Sequence, residues 1–402
     1  MTPWITLALT AITLTDPPAG PGALAPHLAP APGGPLLSWL EPVPDRPEDG
    51  VYALRVSRFG EGGWSPPRTI VAGDRFFANW ADVPMLAVTA DDAWIASWLQ
   101  RSGADTYAYD VVLARSRDEG QTWTRLGSPH DDGTETEHGF VSMVATEGGI
   151  RIVWLDGRAM ATDATGAPRG SGDMTLRSTV IDSNTGPDIG RTDILDPRVC
   201  ECCNTAAALT DRGPVVVYRD RGEDETRDIS IVRRVDERWT TPVPVHRDGW
   251  RIAGCPVNGP AIAAREDRVV VAWYTGAPEA GAVRVAFSSD AGARFAAPVT
   301  VDDTWPTGRV GVHLEPNGDA VVSWLDAHAE GGAIVARRVR PDGSQGPAIT
   351  IAPTTLARAG GFPRLLALDD KRLLVVWTEV GEVNRLRSAV LTSDRLDTQS
   401  SE

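Results

Sequence analysis

A short apolar run that ends in an aromatic residue recurs seven times along the chain. Its aromatic residues are roughly 50 to 65 residues apart, the scale of one four-stranded propeller blade with long loops. They are Trp39, Trp98, Trp154, Tyr218, Trp273, Trp324 and Trp377. One such unit cannot bury its apolar faces alone, so it must stack against its neighbours, and closing the stack into a ring protects the strand edges. The repeat predicts an all-β fold, a β-propeller of four-stranded antiparallel blades, with seven blades preferred and six as the alternative.

The order of strand-like segments is the same within each unit. An inner strand such as residues 84–88 precedes the strand that ends in the aromatic residue. A third strand such as residues 110–115 follows, and a fourth begins near an aromatic residue and a proline, as at residues 64–67. Apolar and polar positions alternate in several of these segments. This order places the turns between third and fourth strands on one face of the ring. The loops after the second strands and the links between blades lie on the opposite face, around the axis.

The turn between third and fourth strands carries a specific motif. Residues 116–123 match the pattern S-x-D-x-G-x-T-W throughout, residues 288–295 keep its Ser, Asp, Gly and final aromatic, and residues 340–344 are a remnant. Asp and Ser side chains bond to backbone groups in such a hairpin, glycine adopts a positive φ, and the aromatic ring packs between sheets. These turns are Asp boxes, and through them the chain resembles the sialidase (neuraminidase) superfamily of BNR-repeat propellers. Together with the links at residues 130–140, 200–203 and 254–260, it resembles bacterial exo-α-sialidase-like proteins of unestablished activity.

The resemblance implies a glycoside hydrolase of the exo-α-sialidase type that acts on a terminal acidic sugar. Such an enzyme needs a tyrosine nucleophile helped by a glutamate, a carboxylic acid and three arginines around the sugar carboxylate. Glu137 and Asp156 are the candidate acid or base, and Tyr107 or Tyr109 is the candidate phenol, with Tyr107 preferred. The candidate substrate-binding arginines are Arg158, Arg219, Arg221, Arg227 and Arg309. All of them fall on the axial face opposite the Asp boxes, where we expect the pocket.

All four cysteines fall on the same face. Cys200, Cys202 and Cys203 occupy one link between blades, and Cys255 occupies the next. Because successive links are neighbours at the mouth of the ring, the four sulfur atoms can converge. One interpretation is two disulfides in an exported protein. The other is a thiolate site for copper or zinc, with His138 as a candidate further ligand. The second interpretation favours an alternative function, a non-catalytic metal-binding or ligand-binding exported propeller.

The net charge and the composition of the segments bear on the partners, the domain bounds and the location of the protein. The formal net charge of −15 argues against nucleic-acid and anionic-membrane partners. The resemblance implies carbohydrate or another small anionic ligand as the partner. No segment is long and apolar enough to cross a membrane, and we expect a monomer. Residues 1–22 are interpreted as an export signal or a ring-closing strand, residues 23–395 as the propeller and residues 396–402 as a polar tail. The resemblance implies a secreted or periplasmic location.

Overall fold

The computed structural model describes residues 12–44, 50–163, 165–327 and 331–397. In this part of the chain the strands form seven antiparallel sheets, which are arranged as the blades of a ring. In six of these sheets all the strands come from one continuous segment of the chain. The predicted seven-bladed propeller is therefore confirmed, and the six-bladed alternative is wrong. None of the helices in these ranges is long and apolar enough to span a membrane.

The strands run from the inside of each blade to its outside. Strand β1 (Ile12–Leu14) belongs to the seventh blade. Blade 1 contains β2 (Leu24–Ala29), β3 (Leu36–Pro42), β4 (Tyr52–Gly60), β5 (Gly63–Trp64) and β6 (Arg68–Gly73). Blade 2 contains β7 (Met85–Val88), β8 (Trp94–Arg101), β9 (Tyr109–Ser116) and β10 (Thr124–Gly127). Blade 3 contains β11 (His138–Thr146), β12 (Gly149–Asp156), β13 (Thr175–Asp182), β14 (Gly186–Pro187) and β15 (Asp193–Asp196).

The remaining blades repeat this arrangement. Blade 4 contains β16 (Ala206–Thr210), β17 (Gly213–Arg219), β18 (Ile229–Val235), β19 (Arg238–Trp239) and β20 (Val243–Pro244). Blade 5 contains β21 (Ala261–Arg265), β22 (Arg268–Thr275), β23 (Ala282–Ser288) and β24 (Val299–Asp302). Blade 6 contains β25 (Pro306–Leu314), β26 (Ala320–Asp326), β27 (Ala333–Val339) and β28 (Ile349–Pro353). Blade 7 contains β29 (Arg364–Ala367), β30 (Arg372–Glu379) and β31 (Arg385–Thr392). Short 3-10 helices occupy Arg158–Met160, Ile189–Arg191, Arg358–Gly360 and Ser393–Asp397.

The recurring aromatic residue lies one to three residues before the end of the second strand of each blade and packs between sheets. Because every blade is covered by a neighbour on both sides, these second strands are buried almost throughout. An indole N–H buried in this way needs an acceptor, and in four blades a carboxylate supplies it. The pairs are Trp39–Glu41 at 2.7 Å, Trp154–Asp156 at 2.8 Å, Trp273–Asp248 at 2.6 Å and Trp324–Asp302 at 2.8 Å.

The ring closes through the N-terminal strand. Strand β1 pairs antiparallel with β31 and forms the outer strand of blade 7, whose other strands come from the C-terminal end of the chain. Residues 1–11, the first half of the predicted export segment, lie outside the described residues. At the other end, Leu396 is buried and Asp397 pairs with Arg338, so these two residues of the predicted polar tail pack against blade 6. Residues 398–402 also lie outside the described ranges.

The two best Asp-box sequences form matching hairpins on one face of the ring. Asp118 accepts hydrogen bonds of 2.9 Å from the Thr122 N–H and 2.8 Å from the Ser116 hydroxyl. Asp290 accepts the corresponding bond from the Ser288 hydroxyl, also at 2.8 Å. These turns join β9 to β10 and β23 to β24, so the links between blades emerge on the opposite face.

Candidate active site

A cleft of about 460 Å³ opens between the loops of blades 2 and 3, on the face opposite the Asp boxes. Its walls come from the loop between β8 and β9, the link from β10 to β11 and the loop after β12. The lining residues are Asp105, Thr106, Tyr107, Ala108, Glu135, Thr136, Glu137 and Met160. The cleft thus lies on the face where the pocket was predicted, and its lining comes from blades 2 and 3 alone.

Glu137 is the carboxyl group at the wall of this cleft with the most specific partner. The hydroxyl of Tyr109, the first residue of β9, donates a hydrogen bond of 2.6 Å to Glu137 Oε1 and lies 3.0 Å from Asp82 Oδ2. Phe77 stacks on the Tyr109 ring at 4.1 Å, and the Phe140 N–H donates to Asp82 Oδ1 at 2.8 Å. Asp82, Tyr109 and Glu137 thus form one hydrogen-bonded chain from the buried interior to the cleft.

Burial sets the protonation of this chain. It raises the pKa of Glu137 from 4.5 to about 7, the Tyr109 hydrogen bond opposes the rise, and the negative charge of Glu201 adds to it. Burial and the charge of Glu137 also hold the pKa of Asp82 well above its usual range. A carboxyl group with a pKa near neutrality can donate and accept a proton under ordinary conditions, which is what general acid–base catalysis requires.

The sequence prediction preferred Tyr107, whereas Tyr109 is the tyrosine whose hydroxyl contacts Glu137. The Tyr107 side chain is 61% exposed and lines the cleft, whereas Tyr109 is fully buried and bonded to Glu137. Sequence reasoning missed Asp82 altogether. The one sequence feature that could have identified Asp82 is its position in a link on the axial face, directly before the inner strand of blade 2.

Asp156 is not part of the hydrogen-bonded chain of Asp82, Tyr109 and Glu137, and its contacts are those of a structural residue. It is fully buried at the end of β12, where it accepts hydrogen bonds from Trp154 Nε1 at 2.8 Å and from Arg158 Nε and Nη2, each at 2.7 Å. Burial alone would raise the pKa of Asp156, but the hydrogen bonds of Arg158 and the charge of His138 hold that pKa below its usual value. Both oxygens are occupied, so Asp156 does not fit the acid or base role.

His138 belongs to the same carboxylate network. Its ring is fully buried, stacks on His130 at 3.9 Å, and has Nε2 3.1 Å from Asp132 Oδ2. Its Nδ1 lies 3.1 Å from the Thr136 carbonyl oxygen. Both ring nitrogens have protein partners, and the group of neighbouring sulfur atoms does not include His138. The predicted role of His138 beside the cysteines is therefore not supported by its position.

Two of the candidate arginines bind main-chain carbonyl groups. Arg219 is fully buried and donates to the carbonyl oxygens of Asn258, Arg227 and Tyr274 at 2.5 to 2.9 Å. Arg309 is also buried and donates to the carbonyls of Ala357, Gly361 and Leu356. These guanidinium groups hold adjacent blade links together.

The other candidate arginines bind protein carboxylates. Arg158 bonds Asp156 and lies 3.1 Å from Asp132. Arg221 and Arg227 both bond Glu201 and Glu225. None of the five arginines predicted to bind substrate lines the cleft. The structure therefore does not place the predicted three-arginine clamp at this cleft.

The four cysteines are all unpaired thiols in the structure. Cys200 and Cys203 are buried, Cys202 is half-buried and Cys255 is exposed. Three of the four sulfur atoms predicted to converge lie together, because Cys200 Sγ lies 3.3 Å from Cys203 Sγ and 3.8 Å from Cys202 Sγ.

Comparison with known proteins gives the fold. No family model matches the chain, and no curated protein matches it. Solved structures similar to it include a lectin from Burkholderia pseudomallei, with 15% identity over 92% of this chain and 96% of that chain and a TM-score of 0.60. A polysaccharide lyase shares 10% identity over 92% and 90%, with a TM-score of 0.57. An α-L-arabinofuranosidase from Fusarium graminearum shares 14% identity over 96% and 99%, with a TM-score of 0.51. At such identities the likeness shows a shared propeller fold.

Proposed function

We propose that the protein is a glycoside hydrolase that cleaves a neutral glycoside in the cleft, with Glu137 as its general acid. The observation that carries the proposal is the 2.6 Å bond from the buried Tyr109 hydroxyl to Glu137 Oε1 at the wall of the cleft. The bond fixes one carboxyl oxygen and leaves Oε2 for a ligand. The similar solved structures include a lectin, a polysaccharide lyase and an arabinofuranosidase, which supports a carbohydrate ligand.

The charge of the cleft favours a neutral sugar over an acidic one. Asp105, Glu135 and Glu137 line it, and no arginine or lysine is among the lining residues. A sugar carboxylate would meet like charges there without the arginine forks that recognise carboxylates elsewhere. Tyr107 and Met160 add exposed aromatic and apolar surface, on which the face of a sugar ring can pack. Sialidase-type specificity, which the Asp boxes suggested, is thus the less favoured form of the proposal.

The proposed reaction needs one acid and one base. Protonated Glu137 gives its proton to the glycosidic oxygen as the bond from that oxygen to the anomeric carbon breaks. Water then bonds to the anomeric carbon and loses a proton to a second carboxylate, for which Glu135 and Asp105 are available in the same cleft. Tyr109 and Asp82 act as positioning residues, because they hold Glu137 and do not themselves reach the cleft lining.

The test is turnover of a panel of neutral nitrophenyl glycosides with an aryl α-sialoside beside them. Glu137→Gln keeps the shape and can still accept the Tyr109 bond, but it has no acidic proton. We expect it to lower kcat by at least about a hundredfold, the usual contribution of a general acid. Glu147→Gln is the matched control, since Glu147 is exposed in the turn between β11 and β12 on the opposite face.

Each result has a defined meaning. Release of aglycone from neutral glycosides that is lost only in Glu137→Gln supports the proposal. Turnover of the sialoside alone overturns the neutral specificity. Sugar binding without any turnover overturns the hydrolase assignment and leaves a lectin-like function.

A further inference from the structure

The sulfur cluster lies outside the cleft and takes no part in the proposed hydrolysis. Its members come from two adjacent links, the one between blades 3 and 4 and the one between blades 4 and 5. The Sγ atoms of Cys200, Cys202 and Cys203 all lie within 4.8 Å of one another. Cys255, in the second of these links, is exposed and lies outside this group of three.

The sulfur separations match those of thiolates that share one metal ion. A zinc–sulfur bond is about 2.3 Å, which places the sulfurs of a tetrahedral site about 3.8 Å apart and those of a trigonal site about 4.0 Å apart. The observed separations from Cys200 are 3.8 Å to Cys202 and 3.3 Å to Cys203. The Cys200–Cys202 separation already fits a tetrahedral site, and the Cys200–Cys203 separation must open by about 0.5 Å to do so.

The surrounding groups are suited to negatively charged sulfur. Arg227 Nη1 donates a hydrogen bond of 3.1 Å to Cys200 Sγ, and the main-chain N–H of Asn258 donates one of 3.4 Å to Cys203 Sγ. Donors of this kind around thiolate ligands fix their orientation and compensate their charge. Asn258 is itself held, because its carbonyl oxygen accepts from Arg219 and its side-chain oxygen accepts from the Arg309 N–H at 2.7 Å. The two cysteine links are thus held together before any ion binds.

We propose that Cys200, Cys202 and Cys203 bind one thiophilic metal ion, zinc(II) or copper(I), and that Cys255 closes the site from the solvent side. An all-sulfur donor set selects such soft or borderline ions over magnesium or calcium, which prefer oxygen ligands. The burial of Cys200 and Cys203 and the exposure of Cys255 give the direction of entry. The site is independent of the proposed hydrolase function, since none of its residues lines the cleft.

The test begins with full-length protein purified without chelator and then fully reduced under anaerobic conditions. Zinc(II) and copper(I) are titrated separately against colorimetric chelators, and cobalt(II) serves as a spectroscopic probe for zinc. We expect one equivalent of ion per chain, sulfur-to-cobalt charge-transfer absorption and loss of the thiol reactivity of the cluster. The chelator competition shows which of the two ions binds more tightly.

Variants assign the ligands. Cys203→Ser should abolish the charge-transfer band, whereas Cys255→Ser, at an exposed position, should keep the fold and weaken binding at least tenfold. Met85→Leu is the matched control, because Met85 lies in β7 away from both the cluster and the cleft lining, so the loss of its sulfur should leave metal binding unchanged. Circular dichroism identifies any cysteine variant that fails to fold. If Cys203→Ser does not fold, the metal affinity of Cys255→Ser tests the proposal.

Two results would overturn the proposal. One is that the reduced protein binds neither ion in competition with chelators of micromolar affinity. The other is unchanged metal affinity and an unchanged cobalt spectrum in both cysteine variants. Glycoside turnover is measured on the same samples, so failure of the metal site and failure of the hydrolase proposal are seen separately.

Discussion

Tyr109 donates a 2.6 Å hydrogen bond to Glu137, and this bond opposes the effect of burial on the same carboxyl group. Burial favours the neutral acid, while a phenol that donates to the carboxylate favours the ionised form. The balance leaves the pKa of Glu137 at about 7. Asp82, Glu201 and His138 also face this carboxyl group or act on it electrostatically, so a change at Tyr109 alone isolates the contribution of the hydrogen bond.

Tyr109→Phe should move the alkaline limb of the pH profile to higher pH. A general acid is active while protonated, so kcat/KM falls as the pH rises through the pKa of Glu137. Removing the bond from Tyr109 raises the pKa of Glu137 further, so kcat/KM begins to fall at a higher pH. Tyr107→Phe removes an exposed hydroxyl and should leave the limb in place. A limb that moves to lower pH, or that moves equally in both variants, would contradict this role of Tyr109.

Glu137→Gln should stabilise the protein at alkaline pH and have little effect at acid pH. The pKa of Glu137 is about 7 in the folded state against an ordinary 4.5, so below pH 4.5 the group is protonated in both states and carries no penalty. Stability is lost as the pH rises through this window, because ionising the buried carboxyl disfavours the folded state. At pH 8 the variant should gain up to about 3 kcal/mol in free energy of unfolding, at 1.36 kcal/mol per pKa unit.

Urea unfolding at pH 4 and pH 8 measures this difference. Glu147→Gln, at an exposed position, should show no such pH-dependent gain. Equal stability of Glu137→Gln and the natural protein at pH 8 would mean that folding does not raise the pKa of Glu137.

Arg219→Lys should destabilise the fold without changing sugar recognition. Lysine has a single ammonium group and cannot reproduce the fork that binds the carbonyls of Asn258, Arg227 and Tyr274. We expect a loss of about 3 to 5 kcal/mol in free energy of unfolding, typical of a broken buried charged network. At a temperature where the variant is folded, KM for the glycoside should not change. Arg125→Lys, on the exposed strand β10, is the control, and a rise in KM in Arg219→Lys alone would restore Arg219 as a substrate ligand.

The blade architecture was predictable because its signal is local and repeated. Each apolar run ending at residues such as Trp154 or Trp273 reports a strand covered on both sides, and seven such runs fix the number of blades. The face that carries the cleft followed from strand order alone. Glu137 was a candidate because it lies in a link on that face, among other polar residues.

The side-chain partners were not predictable, because they depend on contacts between distant segments. Tyr107 and Tyr109 are two residues apart, and only the start of β9 decides that one is exposed and the other buried. Arg219 looks like a carboxylate ligand in the sequence, yet its partners are main-chain carbonyls up to 55 residues away. Every residue has a main-chain carbonyl group, so the sequence does not show which carbonyls bind an arginine. It therefore does not distinguish an arginine with protein partners from one that is free to bind a ligand.

Gly139→Ala should disturb the proposed active site through packing alone. A Cβ at Gly139 would lie 2.0 Å from Asp82 Oδ2 and 2.8 Å from Tyr109 Cε2, and neither buried side chain has room to retreat. We expect a loss of about 1 to 3 kcal/mol in free energy of unfolding from the forced displacement, together with a fall in kcat as the Tyr109–Glu137 bond is displaced. Gly148→Ala is the matched control, since Gly148 lies in the turn between β11 and β12 with no atom within 4 Å of the added carbon. Unchanged kcat in Gly139→Ala, with the stability loss present, would separate the Asp82–Tyr109–Glu137 chain from catalysis and leave it a purely structural element of the cleft wall.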